Sequence, residues 1–288
     1  MIPVLAVGVI LLAVLTSVIM GRDDTKKPEE SAAETASSSI EASAESLPEE
    51  PSVAEESSAE VALRDISTLP AGTEVTPEEI KQKKTKKWFE IRKIKKGDEV
   101  YERIYGKSFP AEKGAKIKLK DLRYIHLLHY NFDGKIVVGE LIVNKEMAKD
   151  IRDIFYALYK KKYQIYSMYL IDDFWKTDGN QADTDSCDAD NTSAFCYRTI
   201  AHTSTLSNHA EGYAIDINPK ENPYIIKSGD HWVDSDHPEI RYPSKELDIT
   251  QPHVIHDEDD AYLEFAEYDF RWGGNWDDPD YQHFEYIR

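Results

Sequence analysis

Cysteine is scarce in this chain, two residues in 288, and basic residues are outnumbered, 35 Lys and Arg against 54 Asp and Glu. Two cysteines exclude a disulfide-dense miniprotein and a four-cysteine zinc module. A formal charge of −19 excludes nucleic acid as the main partner, because phosphate binding is driven by basic patches that release counterions. No internal repeat is found. Residues 21–80 have no aromatic side chain. What is present, 41% hydrophobic residues, suffices for one or two domains of ordinary size and excludes a wholly disordered chain.

The charge divides the chain. Residues 21–80 carry a net −12, residues 81–170 a net +12 and residues 171–288 a net −19. The first block is Glu, Ser, Ala and Pro, which cannot bury enough apolar area to offset the ordering of the chain. Its self-repulsion predicts an extended, disordered linker over residues 22–84. Before it, Ile2 to Met20 is a run of 19 residues without a charge, about the length that spans ~30 Å of hydrocarbon as a helix. Residues 1–21 are therefore expected to be a membrane-targeting segment. A cleaved signal peptide and a retained anchor both stay open, with the anchor favoured. The folded domain is expected over residues 85–288.

Within that domain, HLLHYNFDGKIVVGELIV has two apolar runs around Asp133-Gly134, a favoured pair for a hairpin turn. Met147, Ile151, Ile154, Phe155 and Leu158 share one helical face, which predicts a helix over Lys145 to Tyr163, capped by Asn144 and packed on the hairpin. A second helix is expected from Asp259 to Tyr268, burying Tyr262, Leu263, Phe265 and Ala266. The basic stretch Lys81 to Lys96 is expected to be a solvated lead-in rather than a polymer-binding patch. His126 and His129 fall on opposite faces of a strand and make poor joint metal ligands. Asp183, Asp185, Asp188 and Asp190 fit no EF-hand spacing and are expected in a solvated acidic loop. Cys187 and Cys196 flank it, and a short disulfide between them is left open. His231, His237, His253 and His256 are expected on the surface of a long insertion.

The chemistry concentrates late in the chain. In Ser207-Asn208-His209-Ala210-Glu211-Gly212-Tyr213-Ala214-Ile215-Asp216, Gly212 permits a turn, after which Tyr213, Ile215 and Ile217 face the core and Asp216 faces the other way. In Asp280-Tyr281-Gln282-His283-Phe284-Glu285, Phe284 alternates with His283 and Glu285 on a terminal strand. Two histidines and one aspartate give three ligands and leave a fourth tetrahedral position open, the arrangement of a catalytic zinc. Asp280, three residues before His283, is placed to accept a proton from water.

These residues carry a family resemblance. S-x-H-x-x-G-x-A-x-D at Ser207 to Asp216, W-G-G-x-W at Trp272 to Trp276 and D-x-x-H-F-E at Asp280 to Glu285 resemble the zinc D-alanyl-D-alanine carboxypeptidases of the VanY-like type. NTSAFCYR, LSNHAEGYAIDINPKENPY and LRY…FDGK…GELIVNK extend the resemblance over roughly residues 100–288. It implies an α+β domain whose small antiparallel sheet, with helices packed outside it, holds a single zinc. It further implies zinc on His209, Asp216 and His283, with Asp280 as general base. Arg198 would stabilise the oxyanion or hold a substrate carboxylate, Ser207 would donate a hydrogen bond, and Trp276 and Tyr213 would line the cleft. The expected substrate is the peptidoglycan stem peptide, outside the cytoplasmic membrane, with the membrane reached through residues 2–20. The alternatives are an L-alanyl-D-glutamate endopeptidase or a non-catalytic wall-binding module. Asp269 and His202 stand where many relatives have glycine.

Overall fold

The alternating apolar stretch after residue 120 folds as its pattern dictates. The computed structural model describes residues 62–112, 114–200 and 203–288. In it, β2 (Leu122–Tyr130) and β3 (Ile136–Asn144) form an antiparallel hairpin, with Leu122 opposite Asn144 and Tyr130 opposite Ile136. Asn131 closes the loop: its backbone N–H donates to the Lys135 carbonyl, and its side-chain oxygen accepts from the N–H groups of Asp133 and Lys135. Gly134 takes the positive φ of 73° that the turn needs. A third strand, β1 (Glu90–Lys93), adds to the free edge of β2.

The remaining elements are α1 (Pro77–Lys81), α2 (Glu99–Ile104), α3 (Ala148–Lys161), α4 (Gly179–Asp188), β4 (Ala214–Asp216), β5 (Ile225–Ser228), β6 (His231–Asp234), β7 (Arg241–Tyr242), α5 (Asp260–Ala266), β8 (Phe270–Trp272) and β9 (His283–Tyr286). They make two further three-stranded antiparallel sheets, in the orders β4-β9-β8 and β5-β6-β7. The class is α+β, as expected.

One apolar core joins the hairpin to the sheet that bears the late motifs. Helix α3 packs on β2, and α5 packs on α3 and β8. The link is aromatic: Phe155 of α3 meets Phe265 of α5 edge-on at 6.2 Å, and Phe265 stacks on Phe284 of β9 at 4.3 Å. Ile215 and Ile217 lie in the same core, as the period-2 pattern requires.

Several expectations change. The domain begins before residue 85: Ile66 is fully buried, and Val75 and Ile80 join the core. Thr76 caps α1 in a reciprocal capping box with Glu79, and Arg64 clamps Glu79 with two hydrogen bonds. Trp88 and Phe89 are buried, so the basic stretch is part of the fold, with Lys83 over the Trp88 ring at 4.3 Å. Asn144 ends β3 instead of capping α3, holding the intervening turn by accepting from the Glu146 N–H. On α5 the buried residues are Ala261 and Phe265, whereas Leu263 and Ala266 are exposed.

The acidic segment is helix α4, not a loop. Cys187 lies in its last turn, while Cys196 packs at its first residue, Sγ 3.5 Å from the Gly179 carbonyl. Eight residues at ~1.5 Å each separate the two ends by about 12 Å, beyond disulfide reach. Both thiols are free, and burial pushes both well above their ordinary pKa. The membrane segment and the linker up to residue 61 lie outside the described residues. Among the described residues, no helix is long and apolar enough to cross a membrane.

Candidate metal centre

Strand pairing builds the centre. In the β4-β9 ladder Ile215 faces Phe284 on the apolar side and Asp216 lies directly opposite His283 on the polar side. His209 comes from the one-turn helix Asn208–Glu211, which ends at Gly212 with φ 74°. A Cβ at Gly212 would sit 2.7 Å from the backbone nitrogen of Asn144, so only glycine lets this turn close on the end of β3.

Asp216 joins the two imidazoles. Its Oδ1 is 2.9 Å from His283 Nδ1 and its Oδ2 is 3.0 Å from His209 Nε2, while those two nitrogens are 3.2 Å apart. Among the described residues this is the one set of three metal-ligating groups within 4.8 Å of one another, and all three are buried. Zinc at ~2.0–2.1 Å from each donor sets tetrahedral edges of about 3.3 Å, close to the spacings found. The nitrogens are also correctly presented. His209 Nδ1 lies 2.5 Å from the Ala194 carbonyl, to which it donates, leaving Nε2 as the lone-pair nitrogen. His283 turns its Nε2 toward Glu285 at 3.6 Å and its Nδ1 inward. Glu285 is itself fixed, one oxygen accepting from Asn208 and the other from Arg271. The residues therefore fit a zinc ion.

The electrostatics follow the geometry. Burial works to raise Asp216, yet the His209 and His283 imidazoles hold it well below the usual carboxylate range. Burial works to lower His283, and the Asp216 and Glu285 carboxylates override it, pushing it up to about 10 without a metal. Asp280 is pushed up to about 7, chiefly by burial, and its Oδ1 is buried with no hydrogen-bond partner. Gly273 positions it. The Asp280 N–H donates to the Gly273 carbonyl at 3.1 Å, and a Cβ at 273 would lie 2.5 Å from the Asp280 carbonyl.

A cleft of about 270 Å³ opens over the centre. It is lined by Arg198, Ser207, His209, Asp216, Asp280 and His283, with Trp276 at its rim, 5.4 Å from the His283 ring. Ser207 accepts from the His209 N–H at 3.2 Å and so braces that ligand. Tyr213 is the exception. It points into the core side, its hydroxyl donating to Glu146 at 2.7 Å and its ring covered by Arg288, so it is not part of the cleft. His231, His237, His253 and His256 are also outside the cleft; His237 pairs with Asp188 at 2.6 Å and His253 stacks on Phe132.

Sequence reasoning missed two of the cleft's acids. Asp183, on α4, holds Arg198 at 2.7 Å, and Asp236 arrives from the β6-β7 connection. Nothing in the local pattern of either segment points to the centre. Glu285 was readable as a neighbour of His283 on the polar face, though its clamp by Asn208 and Arg271 was not.

Residues 201–286 match the model of a family described as D-alanyl-D-alanine carboxypeptidase, and the match spans both ligand motifs. No curated protein and no solved structure matches the chain. The His209, Asp216 and His283 cluster thus lies inside the matched segment, and the VanY-like D-alanyl-D-alanine carboxypeptidase family is the one this chain resembles.

Proposed function

We propose that this chain is a zinc-dependent D-alanyl-D-alanine carboxypeptidase that trims peptidoglycan stem peptides outside the cytoplasmic membrane. The observation that carries the reading is the opposed Asp216 and His283 pair closed by His209, with the unpartnered Asp280 oxygen in the same cleft. When bound there, zinc supplies Lewis acidity and lowers the pKa of water.

The chain's own residues do the rest. Asp280 Oδ1 accepts the proton of the attacking water, and the Gly273 contact keeps that carboxylate in place. The Arg198 guanidinium faces the cleft as a fixed cation for the developing oxyanion; Asp183 holds it there and keeps it charged despite its burial. Trp276 covers the rim beside His283. The uncharged run at residues 2–20 supports an extracytoplasmic location, with the chain tethered or secreted.

One observation favours the endopeptidase as a second reading. Arg198 is the only Lys or Arg among the described residues lining the cleft, and Asp183 pairs with its Nη2, so a substrate carboxylate would have to share that one cation. Mass spectrometry of products from wall pentapeptide and intact peptidoglycan, with and without a chelator, separates the readings. Chelator-sensitive release of terminal D-Ala supports the carboxypeptidase. Cleavage after L-Ala shifts the assignment to the endopeptidase, and no product with zinc bound overturns both.

A further inference from the structure

On β9, His283 and Glu285 project from the same face, two residues apart. Asp216 stands opposite His283 in the metal row. In the neighbouring row Glu285 lies between Ala214 of β4 and Arg271 of β8. Glu285 is buried, 6% exposed, and both of its oxygens are engaged. Oε1 accepts from Arg271, while Oε2 accepts from Asn208 Nδ2 and lies 3.6 Å from His283 Nε2. The Asn208 amide is itself oriented, because its Oδ1 accepts from Arg288 at 3.3 Å and so leaves its N–H groups for Glu285.

This places one carboxylate against both histidine ligands. It faces the ring of His283, and through Asn208 it holds the residue before His209 in the one-turn helix Asn208–Glu211. An imidazole gives a metal one nitrogen, and its other nitrogen then carries the proton. A carboxylate facing Nε2 favours the proton there and leaves the lone pair on Nδ1, the nitrogen that meets Asp216 at 2.9 Å. At 3.6 Å the contact acts through charge, being longer than a hydrogen bond. His209 has the Ala194 carbonyl for this purpose, whereas among the described residues no hydrogen bond or other ion pair reaches His283 Nε2. Glu285 is neither a ligand nor the proton acceptor: it lies outside the set of three metal-ligating groups, and it has no free oxygen to compare with Asp280 Oδ1.

We infer that Glu285 is the positioning residue of the metal centre, its one carboxylate setting the tautomer of His283 directly and anchoring His209 through Asn208. It acts through the two imidazoles and touches no reacting atom. This inference rests on the zinc part of the reading above and deepens it.

The test uses the full chain and two readouts, the zinc Kd by competition with a chelator and the visible absorption of the cobalt-loaded protein, which reports ligand geometry. Glu285→Gln keeps the side-chain shape and removes the charge, and Arg271 is 61% exposed, so the loss strands no buried cation. The expected result is a Kd raised about 10–100-fold with an altered cobalt spectrum. Asn208→Ala should raise the Kd by less, and its effect should vanish in the Glu285→Gln background, since the amide acts through the carboxylate. An unchanged Kd and spectrum in Glu285→Gln overturn the inference, as does an Asn208→Ala effect that stays undiminished in that background. Should Glu285→Gln fail to fold, Asn208→Ala alone decides: a raised Kd keeps the inference and an unchanged one overturns it. A wild type that binds zinc and releases no product from wall peptide overturns the peptidase reading, while the Kd comparison still decides the inference. A wild type that takes up neither metal overturns both.

Discussion

The hairpin sheet and the metal sheet are both three-stranded and antiparallel, and each buries a histidine, yet the two imidazoles behave in opposite ways. His129 on β2 lies opposite Val137, and burial pushes it down to about 4. His283 on β9 lies opposite Asp216 and is pushed up to about 10 against its own burial. Burial is the same and the cross-strand partner differs. Between these two the cross-strand partner makes the difference, though an opposed acid alone is not enough: buried His126 lies opposite Glu140, which pairs with Arg103, and burial still lowers it.

Making the second sheet resemble the first is the strongest test. Asp216→Val should place valine opposite His283, as Val137 stands opposite His129, and zinc content after dialysis should fall to background while the hairpin stays folded by circular dichroism. Asp280→Ala should keep zinc and lower kcat for peptide hydrolysis by ~10²–10⁴, the usual share of a general base; full retained activity with zinc bound removes Asp280 from that role. On the other side of the comparison, Leu128→Ala empties a fully buried position of β2 and should cost about 2–5 kcal/mol in urea unfolding, with zinc bound as before once folded.

The smallest effect is a pH effect confined to the corner beside the hairpin. Arg64 holds Glu79 down to about 2 from its ordinary 4.5. A depressed folded pKa stabilises above the unfolded value and the contribution is lost as pH falls through 4.5 toward about 2. The difference in melting temperature between wild type and Glu79→Gln should therefore shrink on going from about pH 5 to about pH 3. A difference that grows over that range contradicts the ion pair.

What was legible in the sequence divides along the same line. The β2-β3 hairpin and α3 were readable because long apolar repeats with a helical or strand period leave little choice of face. The three candidate ligands and Asp280 were readable because the two short motifs that hold them resemble, in order and spacing, those of the carboxypeptidase family. The strands of β5-β6-β7 are two to four residues long and half-exposed, so their sequences carry almost no period. Asp183 and Asp236 are ordinary acids in acidic segments, and only tertiary folding carries them to the cleft. The first turns of the domain were hidden for another reason: Ile66, Val75 and Ile80 are single apolar residues spaced through polar sequence, without a period that marks the face they bury in the common core. Asp269 shows the converse. The resemblance leads one to expect glycine there, and the structure gives it φ 60°, a left-handed conformation that aspartate tolerates better than most side chains.

Gly273 has a consequence for how such a centre can be altered. The three ligands are set by strand register and the turn at Gly212, whereas the Asp280 backbone rests against an α-carbon that carries no side chain. A single methyl group at 273 would meet the Asp280 carbonyl at 2.5 Å and the His283 Cβ at 3.2 Å, so it would press on both residues at once. That one α-carbon is thus a shared wall for Asp280 and His283, and its bareness holds the two in step.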